Sequence, residues 1–476
     1  MHQAILTENH EDSKNDGESL KILFINPPAR QREYQSIVVP PLGLLYVATY
    51  LKKAGYDVRI KDAFAEGMDW GAYQKYVEGE KPDILGIGGM TPVIDTTFKA
   101  IKIARPHCRQ IIMGGPHLSL YRQQVFAQCP EVDFGVVGEG EETALALINA
   151  LAQGSSPDGL EGVITRNSSN PERKTISDID ALPLPDRSLF PNQFYRYPLL
   201  KYRKVTTMMT SRGCPYGCTF CDKSIFGSEW RSRSVDSVLD ELDEIVNAHK
   251  IQSVIFYDDL FTVNKDRVIG ICEGILRKGY KISWKCEGRV NLADLDVMKL
   301  MKRSGCQIIA YGAESANQAG LDYLNKKTTV EQTIRAFDLT RKAGIQTMAY
   351  FILGIPVETF EDELKTIDLA KAIKATYAQF SILSPYYGTK VYDDAIKKGW
   401  YAEVDAHNPM DKDLKRPVIL SDNWDEQKLQ RILKVAHREF YLRPAYMAQL
   451  FFSVRSVNQV ASYVKEFSNI VSWLQR

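Results

Sequence analysis

Three cysteines fall within eight residues in the stretch Ser211-Arg212-Gly213-Cys214-Pro215-Tyr216-Gly217-Cys218-Thr219-Phe220-Cys221-Asp222. Their spacing is C-x3-C-x2-C. Thiolates are the usual ligands of iron–sulfur clusters. A cubane has four irons, so three thiolates leave one iron open to bind and reduce a small molecule. Gly213 and Gly217 let the loop wrap closely around such a group, and Pro215 stiffens its first turn. A structural zinc site needs four ligands in paired sets, and no second pair lies nearby. A disulfide framework belongs to secreted chains, and no secretory signal is present. The other cysteines, Cys108, Cys129, Cys272, Cys286 and Cys306, are scattered and read as small core hydrophobes. One cluster is therefore expected.

A cluster loop needs a rigid frame. Residues 205–210 read as a strand leading straight into the cysteines, and strands alternate with helices after it. Helices are expected over 235–249 and 264–278. Strands are expected over 253–259, 281–289, 307–315, 347–356 and 378–385. Six βα units predict an open barrel, smaller than the eightfold one. Chemistry in such barrels gathers at the strand carboxyl ends. Asp258 and Asp259, Glu287 and Arg289, Glu314 and Ser315, and Glu358 and Thr359 collect there. Acidic groups suit an amino group or a ribose diol, and Arg289 suits a carboxylate.

Residues 20–155 carry a separate alternation. Strands over 21–28, 57–62, 82–89, 110–117 and 134–141, with helices over 40–51, 97–105 and 142–151, predict a doubly wound parallel sheet. Ligands of such sheets bind outside the strand carboxyl ends. The loops there are Asn26-Pro27-Pro28, Gly88-Gly89-Met90-Thr91-Pro92, Gly114-Gly115-Pro116-His117 and Gly138-Glu139-Gly140-Glu141. Any one could be a tight turn. Four on one edge predict a site for a flat or phosphate-bearing ligand. A connector follows, with an edge strand at Gly162-Val163-Ile164, a proline-punctuated stretch over 180–186, and a tyrosine-rich stretch over 190–202 that reads as packing between domains. After Gly388-Thr389 the alternation stops. Residues 425–476 read as helices rich in Leu, Phe, Tyr and Val, a cap on the barrel or a lid over a hydrophobic substrate. The expected domains are a polar lead-in (1–18), the sheet domain (19–155), a linker (156–204), the barrel (205–400) and a helical C-terminal domain (401–476).

The cysteine spacing, with Phe220 before the last cysteine, resembles the radical S-adenosylmethionine (SAM) superfamily over roughly residues 200–400. The resemblance implies a 4Fe-4S cluster on Cys214, Cys218 and Cys221, whose open iron chelates SAM. One electron then releases a 5′-deoxyadenosyl radical that abstracts hydrogen. It also implies SAM contacts from Phe220, Tyr257, Asp258, Asp259, Glu287, Arg289, Glu314, Ser315, Gly354 and Pro356. The first half looks like the Rossmann-like cobalamin-binding domain found upstream of many radical SAM barrels. That likeness implies cobalamin contacts from Asn26, Pro27, Pro28, Met90, Thr91, Gly114, Gly115, His117, Gly138, Glu139 and Gly140. The D-x-H-x-x-G element that supplies a cobalt ligand in many cobalamin domains is absent. The cobalt's lower face would then be open, or filled by a different residue or by water.

The expected class is thus α/β: a doubly wound parallel sheet, a partial TIM-like barrel and a C-terminal helical region. The resemblance implies a cobalamin-dependent radical SAM enzyme. Methyl transfer from methylcobalamin to an unactivated carbon of a small, hydrophobic molecule is the leading reaction. The alternatives are cyclisation, oxidation or ring rearrangement of the anaerobic magnesium-protoporphyrin ester cyclase type, or a barrel whose first domain no longer binds cobalamin. An electron donor such as flavodoxin or ferredoxin is expected as partner. With 60 Lys and Arg against 59 Asp and Glu in 476 residues, the chain shows no polyelectrolyte signal for nucleic acid. Extra cluster cysteines and a basic tail, as in tRNA methylthiotransferases, are missing. An iron–sulfur electron carrier would need full thiolate ligation. No run of about 18 apolar residues marks a membrane helix, and the polar first 18 residues hold no signal-peptide core. A cytoplasmic location, where thiols stay reduced, is expected.

Overall fold

The computed structural model describes residues 20–28, 37–405, 415–444 and 446. The first domain is built from β1 (Lys21–Asn26), α1 (Leu42–Lys53), β2 (Asp57–Asp62), α2 (Trp70–Glu80), β3 (Ile84–Gly88), α3 (Ile94–Ala104), β4 (Gln110–Gly114), α4 (Pro116–Tyr121), α5 (Gln124–Gln128), β5 (Phe134–Val136), α6 (Gly140–Ala152) and β6 (Val163–Ile164). The sheet order is β2-β1-β3-β4-β5-β6. All pairs are parallel except β5–β6. The inner strands β1, β3 and β4 are apolar runs buried on both faces, as a parallel sheet covered by helices requires, while the edge strand β2 alternates buried and exposed residues at its start. The reversal of order beside β1 creates the crevice where ligands of such sheets bind. The sequence reading missed α2, and it extended the fourth strand through residues that form α4. Pro116 cannot donate to a strand ladder but fits the first turn of a helix.

The second domain opens with β7 (Val205–Met208) and the short ribbon β8 (Ser211–Arg212) and β9 (Arg231–Ser232). It continues with α7 (Val235–Asp243), β10 (Ser253–Phe256), α8 (Lys265–Arg277), β11 (Ser283–Gly288), α9 (Leu295–Arg303), β12 (Cys306–Glu314), α10 (Gln318–Tyr323), α11 (Val330–Lys342), β13 (Gln346–Leu353), α12 (Phe360–Ala372), β14 (Tyr377–Ile382) and α13 (Lys390–Lys398). The six long strands run parallel in the order β7-β10-β11-β12-β13-β14 and leave the barrel open. A polar side chain caps the start of six barrel helices, Ser234, Asn264, Asp294, Thr329, Thr359 and Thr389, while the short α10 has no side-chain cap. Each cap accepts from a backbone amide left free in the first turn. The outer strand faces and the helices share one core, in which Trp284 is fully buried against Phe256 and Phe261. Cys272, Cys286 and Cys306 lie in the same core, and Cys129 is buried in the first domain.

The chain then forms an antiparallel hairpin, β15 (Tyr401–Asp405) and β16 (Lys415–Ile419), and the helix α14 (Glu426–Tyr441). The hairpin departs from the expectation of a purely helical region after residue 400. α14 packs on α12 and β14 through Leu429, Ile432 and Phe440. The expected lead-in and the helices called beyond residue 446 lie outside the described residues.

The linker packs between the domains, as its tyrosines predict. Phe190, Tyr195, Tyr197 and Leu200 are buried with Leu45 of α1 and with Val205, Ile255, Ile308 and Tyr377 of the barrel strands. Arg187, fully buried, donates to Glu241 Oε1 at 2.5 Å and to the Thr207 carbonyl at 2.8 Å. Arg233 pairs with the other oxygen of Glu241. Burial works against the Glu241 charge, but the two guanidinium groups hold its carboxyl below the usual range.

Candidate active site

The cysteine loop leaves β7 at the carboxyl end of the barrel. Asp258, at the end of β10, accepts from the Thr210 amide, the Thr210 hydroxyl and the Ser211 hydroxyl, each at 2.6 Å. Asp259 accepts from the Gly213 amide at 3.0 Å. Both aspartates therefore anchor the loop. Gly213 adopts φ 82°, and a Cβ there would sit 2.1 Å from the Glu229 carbonyl oxygen, so no other residue fits. Within the loop Lys223 donates to the carbonyls of Cys214, at 2.8 Å, and Tyr216. Asn325 donates to the Gly217 carbonyl at 2.6 Å, and the Thr219 amide donates to the Leu324 carbonyl at 3.0 Å. The loop's shape is thus set from outside.

Cys214, Cys218 and Cys221 are free thiols, and Cys221 is exposed. Desolvation, then the neighbouring Cys218 and Cys214, push the Cys221 thiol up to about 12. Among the described residues no three His, Cys, Asp or Glu side chains converge as ligands of a single ion. In a cubane each thiolate binds its own iron. The loop borders an open cleft of about 750 Å³, lined by Cys218, Cys221, Lys223, Tyr323 and Lys390, with Leu120 from the first domain.

Arg289, at the end of β11, is buried. Its guanidinium lies 3.7 Å from the Tyr216 ring centre, and Nη1 lies 3.9 Å from Cys218 Sγ. Nη2 donates to the Lys326 carbonyl, while Nε has no partner. A buried guanidinium with a spare donor beside the cysteines fits an anionic group. Glu314 ends β12 at φ 63°, after a register shift from β13, and pairs with Lys326 Nζ at 2.6 Å. A buried non-glycine residue held in the left-handed region is strained, and such strain clusters at functional sites. Ser315 donates to Glu358 at 2.5 Å, and Glu363 accepts from the amides of Gly354 at 2.7 Å and Ile355 at 3.2 Å. Asn423 donates to the Pro356 carbonyl at 3.0 Å. Phe220 packs with Leu324 and Ile355. Phe220 thus joins the cysteine loop to the apolar cluster that holds Ile355, and Ser315 ties the end of β12 to Glu358, two residues past Pro356. Burial pushes Glu358 up to about 7, and burial and Glu358 push Glu363 up as well.

Glu287 stands apart from these groups. It pairs with Lys285 and accepts from the Tyr350 hydroxyl at 3.4 Å. Desolvation first, then the Glu287 charge, raises the hydroxyl pKa of Tyr197, Tyr257 and Tyr350. Tyr257 is nonetheless 53% exposed. Lys285 and Glu287 alternate along β11 with the core-facing Trp284 and Cys286, so these two face the barrel interior.

At the first sheet's edge, the His117 ring meets Thr91 Oγ1 at 3.2 Å and Gln128 Oε1 at 2.9 Å and stacks on Tyr121. Both ring nitrogens and the Thr91 hydroxyl are thus engaged within the protein. Asn26 donates to Asp62 at 2.8 Å, and Glu139 faces the barrel. Met90 is exposed at this edge, and the chain turns at Gly115 and Gly138, both at positive φ. Gly115 adopts φ 91°, and a Cβ there would sit 3.0 Å from Gly89 backbone.

The radical SAM superfamily profile matches residues 208–370, and the B12 binding domain profile matches residues 37–148. An uncharacterized methyltransferase of Pyrococcus horikoshii is 34% identical over 442 residues, which cover 91% of this chain and 95% of that one.

The chain belongs to the cobalamin-dependent radical SAM family.

The anaerobic magnesium-protoporphyrin IX monomethyl ester cyclase of Rubrivivax gelatinosus is 28% identical, covering 91% of this chain and 79% of the relative. Two solved structures share the fold. TsrM from Kitasatospora setae, a radical SAM methyltransferase with cobalamin and a 4Fe-4S cluster bound, superposes with a TM-score of 0.71 at 18% identity, covering 90% of each chain. The cobalamin-dependent radical SAM enzyme OxsB superposes at 0.72 and 19% identity, covering 95% of this chain and 72% of that one. A 4Fe-4S cluster, SAM and cobalamin are the cofactors of this radical SAM enzyme. No helix among the described residues is long and apolar enough to cross a membrane.

Sequence reasoning missed Arg212, Glu141, Lys223, Lys326 and Glu363. Arg212 lies inside the cysteine stretch, and Glu141 lies inside the G-E-G-E loop. Their placement beside motif residues was the available signal.

Proposed function

We propose that the protein transfers a methyl group to an unactivated carbon of a small molecule with an apolar body and a polar handle. The observation that carries the reading is the end-to-end match to a methyltransferase relative, 91% of this chain against 95% of the other. A cytidylyl-2-hydroxyethylphosphonate methyltransferase of Streptomyces wedmorensis, 25% identical, also matches over 89% and 90%. Bound cofactors would supply the hydrogen-abstracting radical and the methyl donor.

This chain's own residues do the rest. Cys214, Cys218 and Cys221 hold the cluster, and Lys223 neutralises charge behind it. Arg289 takes the SAM carboxylate through its free Nε, and Glu314 takes a hydroxyl or the amino group. Phe220 and the Gly354–Pro356 loop flank the base. Met90, Gly114, Gly115 and Gly138 form the cobalamin-facing edge. The apolar part of the substrate meets Tyr257 and Met90, which stand exposed at strand ends of the two sheets. Lys285, Glu287 and Tyr350 meet its polar handle inside the barrel. An external flavodoxin or ferredoxin supplies the electrons, in the cytoplasm.

The similarity to three magnesium-protoporphyrin ester cyclases, one 30% identical over 375 residues, supports a second reading, cyclisation or oxidation with the same cofactors. Product stoichiometry separates them. Anaerobic incubation with SAM, a reductant and a small-molecule extract yields S-adenosylhomocysteine and 5′-deoxyadenosine in near-equal amounts for methyl transfer. 5′-Deoxyadenosine without matching S-adenosylhomocysteine overturns methyl transfer in favour of the cyclase type.

A further inference from the structure

The G-E-G-E loop faces two ways. Its backbone turns at Gly138, on the ligand edge of the first sheet, where the Gly138 amide donates to Ser119 of α4 at 3.0 Å. Its carboxylates reach into the second domain. Glu139 Oε1 accepts from Arg212 Nη1 at 2.6 Å, and Glu141 Oε1 accepts from Arg212 Nη2 at 2.5 Å. Glu139 also accepts from Arg231 Nη1 at 2.9 Å and from the Ile176 amide of the linker at 2.7 Å. Arg212 and Arg231 sit opposite each other on the β8–β9 ribbon, and Arg212 stands two residues before Cys214. All four side chains are nearly inaccessible, 3–4% exposed. The Arg212 guanidinium lies 4.9 Å from the ring centre of Tyr46 on α1 and 5.2 Å from that of Phe226. The Tyr46 hydroxyl donates to the Met209 carbonyl at 3.4 Å.

A buried set of ion pairs is a poor means of adding stability, because desolvation offsets the attraction. It is an exacting means of fixing geometry, because a guanidinium that forks to two carboxylates holds one orientation. We propose that Glu139, Glu141, Arg212 and Arg231 form a coupling latch, through which a ligand on the first sheet's edge orders the cysteine loop in the barrel. The path is short: ligand edge, Gly138 turn, two carboxylates, Arg212, Cys214. The four are positioning residues, and the latch serves methyl transfer and cyclisation alike.

The test reads the loop directly, without turnover. Cluster-free full-length protein is exposed to deuterium with and without saturating hydroxocobalamin, and exchange is followed at the amides of 213–222. In the wild type, cobalamin should slow exchange of these amides about tenfold or more, because local opening is suppressed. Arg212→Lys keeps the charge but cannot fork, and Glu141→Gln removes one charged partner. With cobalamin occupancy matched by absorbance, both should lose most of the protection, to about threefold or less. Glu142→Gln, whose carboxylate faces Arg173 at the surface, should keep it. Wild-type loop amides indifferent to cobalamin overturn the proposal even if every variant fails to fold. Full protection in Arg212→Lys overturns it equally.

Discussion

Arg289 and His117 show how a residue's partners settle its role. Arg289 keeps a buried, unpartnered Nε beside Cys218. A charge-assisted hydrogen bond to a carboxylate contributes about 1.5–3 kcal/mol. Arg289→Met should therefore raise the SAM dissociation constant by about tenfold or more while iron content holds. Equilibrium dialysis of the reconstituted variant checks this, and unchanged affinity would refute the assignment. His117 has both ring nitrogens engaged, and burial lowers its pKa. The cob(II)alamin resonance spectrum should thus lack nitrogen splitting from a protein imidazole, and its appearance would show that His117 or another histidine swings onto cobalt. Glu358 is pushed by burial from 4.5 to about 7, next to Glu363. A raised acid keeps its proton in the folded chain after the unfolded chain has released it. The contribution is complete below about pH 4.5 and lost as pH rises towards 7, on the order of 3 kcal/mol. Urea midpoints between pH 5 and 8 should fall with pH in the wild type, and Glu358→Gln, which removes the titrating group, should flatten the slope.

The elements divide between frame and site. β11 buries Trp284 and Cys286 outward and turns Lys285 and Glu287 inward, the two-residue period of a strand with one apolar face. Trp284→Ala leaves a hole against Phe256 and Phe261 and should cost about 3–5 kcal/mol. Chemical denaturation would read it as a lower midpoint at unchanged slope, and a loss under about 1 kcal/mol would mean that the barrel wall relaxes to fill the space. The short β8–β9 ribbon matters beyond its length, since it carries the two arginines that meet the first domain. Both strands are polar pairs, Ser211-Arg212 and Arg231-Ser232, with no apolar run to mark them, which is why neither was foreseen.

Across the whole molecule, one cysteine loop is gripped from three sides: by Asp258 and Asp259 of the barrel, by Asn325 and Leu324 after β12, and by Glu139 and Glu141 of the first domain. The reconstituted protein should bind about four irons per chain, since one cubane holds four. The variant with Cys214, Cys218 and Cys221 all changed to Ala should bind none. About eight irons per chain, or a cluster in the triple variant, would refute a single site. The cofactor class was legible because C-x3-C-x2-C is a local pattern: three thiols on one short loop are near one another whatever the rest of the chain does. The two parallel sheets were legible for a similar reason, since each strand's apolar run and each helix's cap lie within a few residues. Which carboxylates remain free for ligands was not legible. Asp258, Glu139 and Ser315 are expected at ligand sites by position, and the protein partners they also hold stand 48, 73 and 43 positions away in the chain. Spacing along the chain names the chemistry, while the choice among distant donors and acceptors is made only when folding sets their separation through space. The tertiary structure therefore assigned Asp258 and Glu139 to hold the cysteine loop and left Arg289 with a donor to spare.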